Sequence, residues 1–199
     1  MLVKTNNETN LGGFFMAIEK MLVEHCSATL ASIKTANLFN MKFSSQVELE
    51  EQFAYWNLCL AEKGIRLFVL RIQNGMALVY VYRQKQLHND LNRPEVADFL
   101  KAYGYLSTNV DYALERLRCK IQFSEVFPHE IGLFLDYPLE DVKGFIENKG
   151  QNYKFSGMWK VYCNEDATKK IFQKYKKCKD VYAKLWQQGR SVIQLTVAA

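Results

Sequence analysis

An α+β fold, with an antiparallel β-hairpin at its centre and helices around it, is predicted by three features of this sequence. Two strongly apolar runs flank Asn74-Gly75, stripes of apolar residues at helical spacing lie on both sides of them along the chain, and only three prolines and ten glycines interrupt the whole. With so few breakers no Pro-rich or Gly/Ser-rich linker divides the sequence, so residues 1–199 are expected to form a single domain.

The elements follow in order. Between Gln46 and Glu62, the residues Leu49, Phe53, Trp56 and Leu60 recur at spacings of four, three and four, which places them on one face of a helix that Gly64 ends. Ile65 to Gln73 and Met76 to Arg83 read as strands, because the Asn-Gly pair between them accepts the positive backbone angles of a tight hairpin turn. Both strands are apolar at nearly every position, which requires cover on each face, by helices on at least one side. Pro94 suits the first turn of a helix through Tyr103, closed by Gly104, and Val110, Leu114, Leu117 and Ile121 mark the buried stripe of another. Trp159 to Tyr162 is a further short strand. The last helix, within a basic segment of about 164–187, aligns Ile171, Tyr175, Cys178, Tyr182 and Leu185 toward the core and turns Lys169, Lys176, Lys177 and Lys184 away, which makes Cys178 a core thiol.

Composition excludes several classes of protein. At 49% hydrophobic residues in 199 the chain can bury a core, so disorder is not expected. No apolar run reaches the roughly 18 residues of a membrane helix. The N-terminal apolar stretch from Leu11 to Ile18 is closed by Glu19 and Lys20 without a small-residue cleavage site, so a soluble, cytoplasmic protein is expected. Five widely spaced cysteines, an odd number with no Cys-x-x-Cys, indicate free thiols and give no zinc or thioredoxin signature. The net charge of +5 is uneven: residues 149 to 190 carry eleven Lys/Arg against three acidic residues, a net +8, while fifteen basic and eighteen acidic residues leave the remainder at −3.

The densest segment runs Phe127-Pro128-His129-Glu130-Ile131-Gly132-Leu133-Phe134-Leu135-Asp136-Tyr137-Pro138-Leu139-Glu140-Asp141-Val142. With His25-Cys26, Thr29-Leu30 and Ile33-Lys34 near the start, Leu78 to Arg83 in the hairpin, and Trp159-Lys160-Val161-Tyr162 near the end, it resembles the signature of a bacterial domain-of-unknown-function family, number 3793, found mostly in anaerobic Gram-positive species. The sequence departs from that pattern at Ala28 and Thr35, where prolines are usual, at Asp136, where glycine is usual, and at Phe155-Ser156, where cysteines often stand. The resemblance implies a common fold and a cytoplasmic setting, with an association with flavodoxin-like and iron-uptake proteins as its one functional hint.

Several chemistries compete for these residues. His129 and Glu130 are candidates for an acid–base pair, since histidine titrates near neutrality and a carboxylate can orient it; adjacent helical residues, however, point about 100 degrees apart. The competing structural reading starts a helix at Pro128, puts Glu130 in its positive first turn and leaves His129 to cap locally. His25 and Cys26 are candidate ligands for a soft metal, with His129 as a third, or a nucleophile site if the four residues meet in the fold; otherwise Cys26 is a core thiol. Residues 131–146 also have the apolar spacing of a helix-turn-helix, but its second helix offers Glu140, Asp141 and Glu147 against Lys143, which disfavours DNA. No Gly-rich phosphate loop occurs. The function expected is therefore that of a cytosolic accessory or ligand-binding protein in iron, haem or redox physiology, using His25, Cys26, His129, Glu130 and Tyr137. A nucleic-acid-binding module based on 131–146 and the basic C-terminus, and an enzyme based on His129 and Glu130, are the alternatives.

Overall fold

The computed structural model describes residues 7–198, with side chains from residue 18 onward. Helix α1 (Asn7–Leu30) leads into strand β1 (Ala36–Lys42), helix α2 (Gln46–Ala61) and the hairpin of β2 (Ile65–Gln73) and β3 (Met76–Arg83). Helices α3 (Gln84–Leu91), α4 (Pro94–Ala102) and α5 (Val110–Phe123) follow, then one helical turn, α6 (Ile131–Phe134), and α7 (Leu139–Glu147). A short hairpin of β4 (Phe155–Ser156) and β5 (Lys160–Val161) precedes α8 (Glu165–Gln187) and α9 (Val192–Leu195). The protein is α+β, as the periodicities imply.

The three long strands form an antiparallel sheet in the order β1-β3-β2. Asn74 (φ 51°) and Gly75 (φ 71°) both take the left-handed conformation that a two-residue turn of this hand demands, so the Asn-Gly signal specifies the β2–β3 register from Gln73 opposite Met76. β3 is the central strand, and Ala77 to Arg83 are all buried. Its side chains alternate between two cores. Ala77, Val79 and Val81 meet α1, α2 and α9 through Leu22, Cys26, Phe53, Trp56 and Val192, whereas Leu78, Tyr80 and Tyr82 meet α3 to α7 through Leu87, Leu100, Leu114, Leu117 and Phe134. Helices thus cover both faces of the sheet, which accounts for strands that are apolar on both sides.

Local signals place most helix ends. Ser45 caps α2, its hydroxyl accepting from the Glu48 amide at 3.3 Å, and Asn109 caps α5 by accepting from the Asp111 and Tyr112 amides. The expected stripes of α2 and α5 are buried. α8 differs. Tyr175 is buried, but Tyr182, Leu185 and Cys178 are half-buried and Ile171 is exposed. The helix lies across the outside of α1 and meets α9 at its end, so only part of its apolar stripe is covered. Cys178 is consequently not a sealed core thiol; its Sγ approaches the Ser27 carbonyl at 3.5 Å. Among the described residues no helix is long and apolar enough to cross a membrane, and all five cysteines are unpaired.

One buried charge ties the hairpin to both ends of the fold. Arg83 is 2% exposed, and its guanidinium donates to the carbonyls of Thr29 (2.6 Å) and Leu30 (2.8 Å) at the C-terminus of α1 and to that of Val197 (2.8 Å) beyond α9. It thereby adds a charged donor to carbonyls at the end of α1 that also accept from the Ser32 and Val197 amides, and puts a cation at the negative pole of the helix dipole.

Candidate functional site

The segment from Phe127 to Val142 is less regular than a helix pair. The Pro128 carbonyl accepts from the Ile131 amide across a turn at His129-Glu130, and the helix begins only at Ile131. α6 is a single turn with all four residues buried, and Asp136 (φ 64°) reverses the chain into Tyr137-Pro138 before α7. The helix-turn-helix-like spacing over 131–146, disfavoured for DNA by its acidic second helix, corresponds to the four residues of α6 and to α7 across the turn at Asp136. The left-handed backbone at Asp136 suits glycine, and asparagine or aspartate next after it, which gives the physical reason why a chain of this type can hold either there.

Glu130 does not act as a solvent-facing acid of a helix first turn. It is 2% exposed and points inward, where its carboxylate forms a part-buried ion pair with the Lys120 ammonium and accepts from the Tyr105 hydroxyl at 3.3 Å. Burial and this carboxylate together push the Tyr105 hydroxyl well above its ordinary range. His129 points the other way, exposed at the surface with its ring edge on Phe145 (centroids 4.9 Å). The two adjacent side chains are thus held apart rather than assembled as an acid–base pair.

The N-terminal candidates lie elsewhere. Cys26 is fully buried in the core between α1, α2 and the sheet, and desolvation raises its thiol pKa far above the ordinary value. His25 is exposed on α1, stacked on Phe39 at 5.6 Å; partial burial and the neighbouring Lys179 lower its pKa. The Phe127–Val142 segment packs on the opposite face of the sheet, against Tyr80 and Leu117, so the structure does not bring His25 and Cys26 to His129 and Glu130. Among the described residues no group of three or more His, Cys, Asp or Glu side chains is arranged to hold a metal ion.

His129 and Tyr137 do come together, in a cleft of about 360 Å³ between the α6–α7 segment and the β4–β5 hairpin. The Tyr137 and Trp159 rings stack at 4.5 Å in its wall, Phe145 and Met158 add apolar surface, and Lys160 stands at its edge. One carboxylate holds this architecture. Asp141, 2% exposed in the first turn of α7, accepts from the Trp159 indole N–H (2.8 Å) and from the amides of Tyr162 (2.7 Å) and Cys163 (3.0 Å), which fastens the hairpin over the helix. Close packing completes the fit: a Cβ at Gly144 would stand 2.5 Å from the Tyr162 ring, so only glycine lets the hairpin approach α7.

Behind the cleft is a second polar cluster. The Lys34 side chain is buried, with its ammonium 5.4 Å from the Tyr137 ring centroid, donating to the carbonyls of Ala36 and Leu135, the latter at 2.7 Å. Burial lowers its pKa to about 8, partly opposed by nearby Asp136. Asp136 accepts from the Thr35 amide at 3.4 Å and Asp90 from the Thr35 hydroxyl; burial, then the charge of Asp90, raises the Asp136 pKa. Proline at 35 has no N–H to donate and glycine at 136 no carboxylate to accept, so the two departures from the resembled pattern form one contact.

Lys34 predicts a pH dependence. Below about pH 8 the amine is charged in both the folded and unfolded chain, and the whole cost of burying the ammonium is present. Between about 8 and its ordinary 10.5 the folded state has shed the proton and the unfolded chain has not, so stability rises with pH through that window. The neutral amine keeps two N–H donors for its two carbonyls. Denaturant titrations of the unaltered protein and Lys34→Met should diverge in favour of the former from pH 8 to 10, by at most about 3 kcal/mol. A difference that stays constant over that range would show that Lys34 does not titrate there.

Lys34, Phe145 and Lys160 were not among the site residues expected from the sequence. Lys34 and Trp159-Lys160 stood in the motif that carries the resemblance, but their convergence is tertiary. A family model described as "Protein of unknown function (DUF3793)" matches residues 22–196. No curated protein and no solved structure matches the chain.

Proposed function

The chain belongs to the DUF3793 family of proteins of unknown function, and from that premise we propose that it is a cytoplasmic protein that binds a small, flat, largely apolar molecule in the cleft between α7 and the β4–β5 hairpin. The observation that carries this reading is the cleft itself: its volume lies within the range of small-molecule sites, and aromatic walls with a few polar groups at the edge are the usual composition of such sites. The walls are preorganised by Asp141 and by the Tyr137–Trp159 stack, so little ordering cost accompanies binding.

The test uses the uncharged fluorophore N-phenyl-1-naphthylamine, whose emission rises in apolar surroundings and which can accept excitation energy from Trp159. It should bind the folded protein saturably, and Met158→Glu, which puts a carboxylate in the mouth without removing core volume, should weaken it at least about tenfold. Absence of saturable binding, or binding indifferent to Met158→Glu, would overturn the reading.

A link to iron, haem or redox physiology is the finer form of this proposal. It draws on His129, the candidate ligand that borders the cleft, since Cys26 is sealed and His25 lies on α1. Nucleic-acid binding draws support from exposed Lys170, Lys174, Lys176 and Lys177 on α8, against the exposed Glu140 and Glu147 of α7. The enzyme reading has less support, because the Glu130 carboxylate is already engaged by Lys120 and Tyr105.

A further inference from the structure

We infer that the cleft selects ligands bearing an acidic group, an aromatic system of one to three rings whose carboxylate, sulfonate or phosphate is met by Lys160 with His129 across the opening. This rests on the ligand-binding reading above and names the class of ligand.

Lys160 is half-buried, its ammonium 4.9 Å from the centroid of Tyr153 and 5.7 Å from that of Phe145. It donates to a single acceptor, the Gly150 carbonyl at 2.6 Å. That carbonyl is brought there by a left-handed backbone (φ 73°) with little space for a side chain, since a Cβ at Gly150 would stand 3.2 Å from the Phe145 ring. Two of the three ammonium hydrogens therefore have no protein partner, and among the described residues no carboxylate pairs with this cation. π faces and one carbonyl hold a cation in place, but they do not neutralise it.

The two nearby carboxylates are turned away from Lys160. Asp141 lines the same cleft, yet both of its oxygens are engaged by N–H groups of the hairpin. Glu130, adjacent in sequence, points into the core and is neutralised by Lys120. The His129 side chain makes no hydrogen bond among the described residues, so a ring N–H is free to donate to a bound anion. A concave site with apolar walls, an ammonium with two free donors and an imidazole beside it offers an anion direct hydrogen bonds in low-dielectric surroundings, while the Asp141 carboxylate is turned onto the Trp159, Tyr162 and Cys163 N–H groups. The aromatic walls meanwhile accept a ring system.

Two probes that differ by one group separate this inference from the reading beneath it. 8-Anilino-1-naphthalenesulfonate has the skeleton of N-phenyl-1-naphthylamine with a sulfonate added. The sulfonated probe should bind the unaltered protein more tightly. Lys160→Gln should weaken it about ten- to a hundredfold, the range for a hydrogen bond to a charged group, while leaving the neutral probe within about twofold. Lys160→Arg should retain most of the difference. Failure of both probes to bind would remove the ligand-binding reading itself; binding of both with equal affinity, or equal loss of affinity by both on His129→Ala, would overturn the acidic-ligand inference alone. Should Lys160→Gln dislodge the hairpin and lose both probes, the salt dependence of the unaltered protein decides. The sulfonate's advantage should shrink as ionic strength rises, and an advantage that salt does not change would overturn the inference. Competition by 2-naphthoate and by 2-naphthyl phosphate against the sulfonate then tells which acidic group the site prefers.

Discussion

Replacing Arg83 by methionine should cost about 3 to 5 kcal/mol, because it removes the charged donor from the buried carbonyls of Thr29 and Leu30 and from the part-buried carbonyls of Val197 and Lys63. Domains of this size hold about 5 to 15 kcal/mol in all, so the variant should stand near the edge of unfolding at ordinary temperature. The loss has a topological meaning. The guanidinium joins the end of the central strand to the C-terminus of α1 and to the segment beyond α9, elements far apart in the chain. Arg83→Lys should recover little, since a single ammonium on a flexible stem cannot present the planar fork that reaches four carbonyls. Urea titration followed by circular dichroism checks both variants. A loss under about 1 kcal/mol for Arg83→Met would mean that water replaces the guanidinium at these carbonyls.

Asp141→Ala should have the second largest effect and a different character. Its removal leaves the Trp159 indole and the Tyr162 and Cys163 amides unpaired at a half-buried to buried position, at a cost of about 2 to 4 kcal/mol. The damage should be local before it is global, because the β4–β5 hairpin is two residues wide on each strand and depends on α7 for its attachment. Hydrogen exchange at the Tyr162 and Cys163 amides should accelerate well before the β2–β3 amides respond, and the neutral fluorophore should no longer bind. Asp141→Asn should fall between, since its amide oxygen can still accept from the two backbone N–H groups while its NH₂ opposes the indole N–H. Unchanged exchange at 162 and 163 in Asp141→Ala would show that packing of Gly144 against Tyr162 alone holds the hairpin.

How far each element could be read from sequence depended on how local its determinants are. The β2–β3 hairpin was legible because Asn74-Gly75 states its turn chemistry in two residues, α2 and α5 because their stripes lie within one element, and α4 because Pro94 and Gly104 mark its ends. Strand β1 went unread: Ala36–Lys42 has no turn joining it to its partner, and its pairing with β3 spans the whole of α2 and β2. The stripe of α8 was visible, but a period says which face could be buried and not how much of it a neighbour covers. The motif around His129 was visible too, while the opposite directions of His129 and Glu130 were not, since a turn rather than a helix joins them.

By itself the amino-acid sequence determined the α+β class, the hairpin at its centre, the family, and the concentration of unusual residues in the Phe127–Val142 segment, because each of these is written in residue types and short spacings. The tertiary structure alone decided what those residues can do. It sealed Cys26 on one side of the sheet and set His129 on the other, turned Glu130 toward Lys120, and brought Tyr137, Phe145, Trp159 and Lys160 to one cleft. Burial and charge pairing are properties of neighbours, and the neighbours that matter here are separated along the chain by the strands and helices that the fold must first assemble.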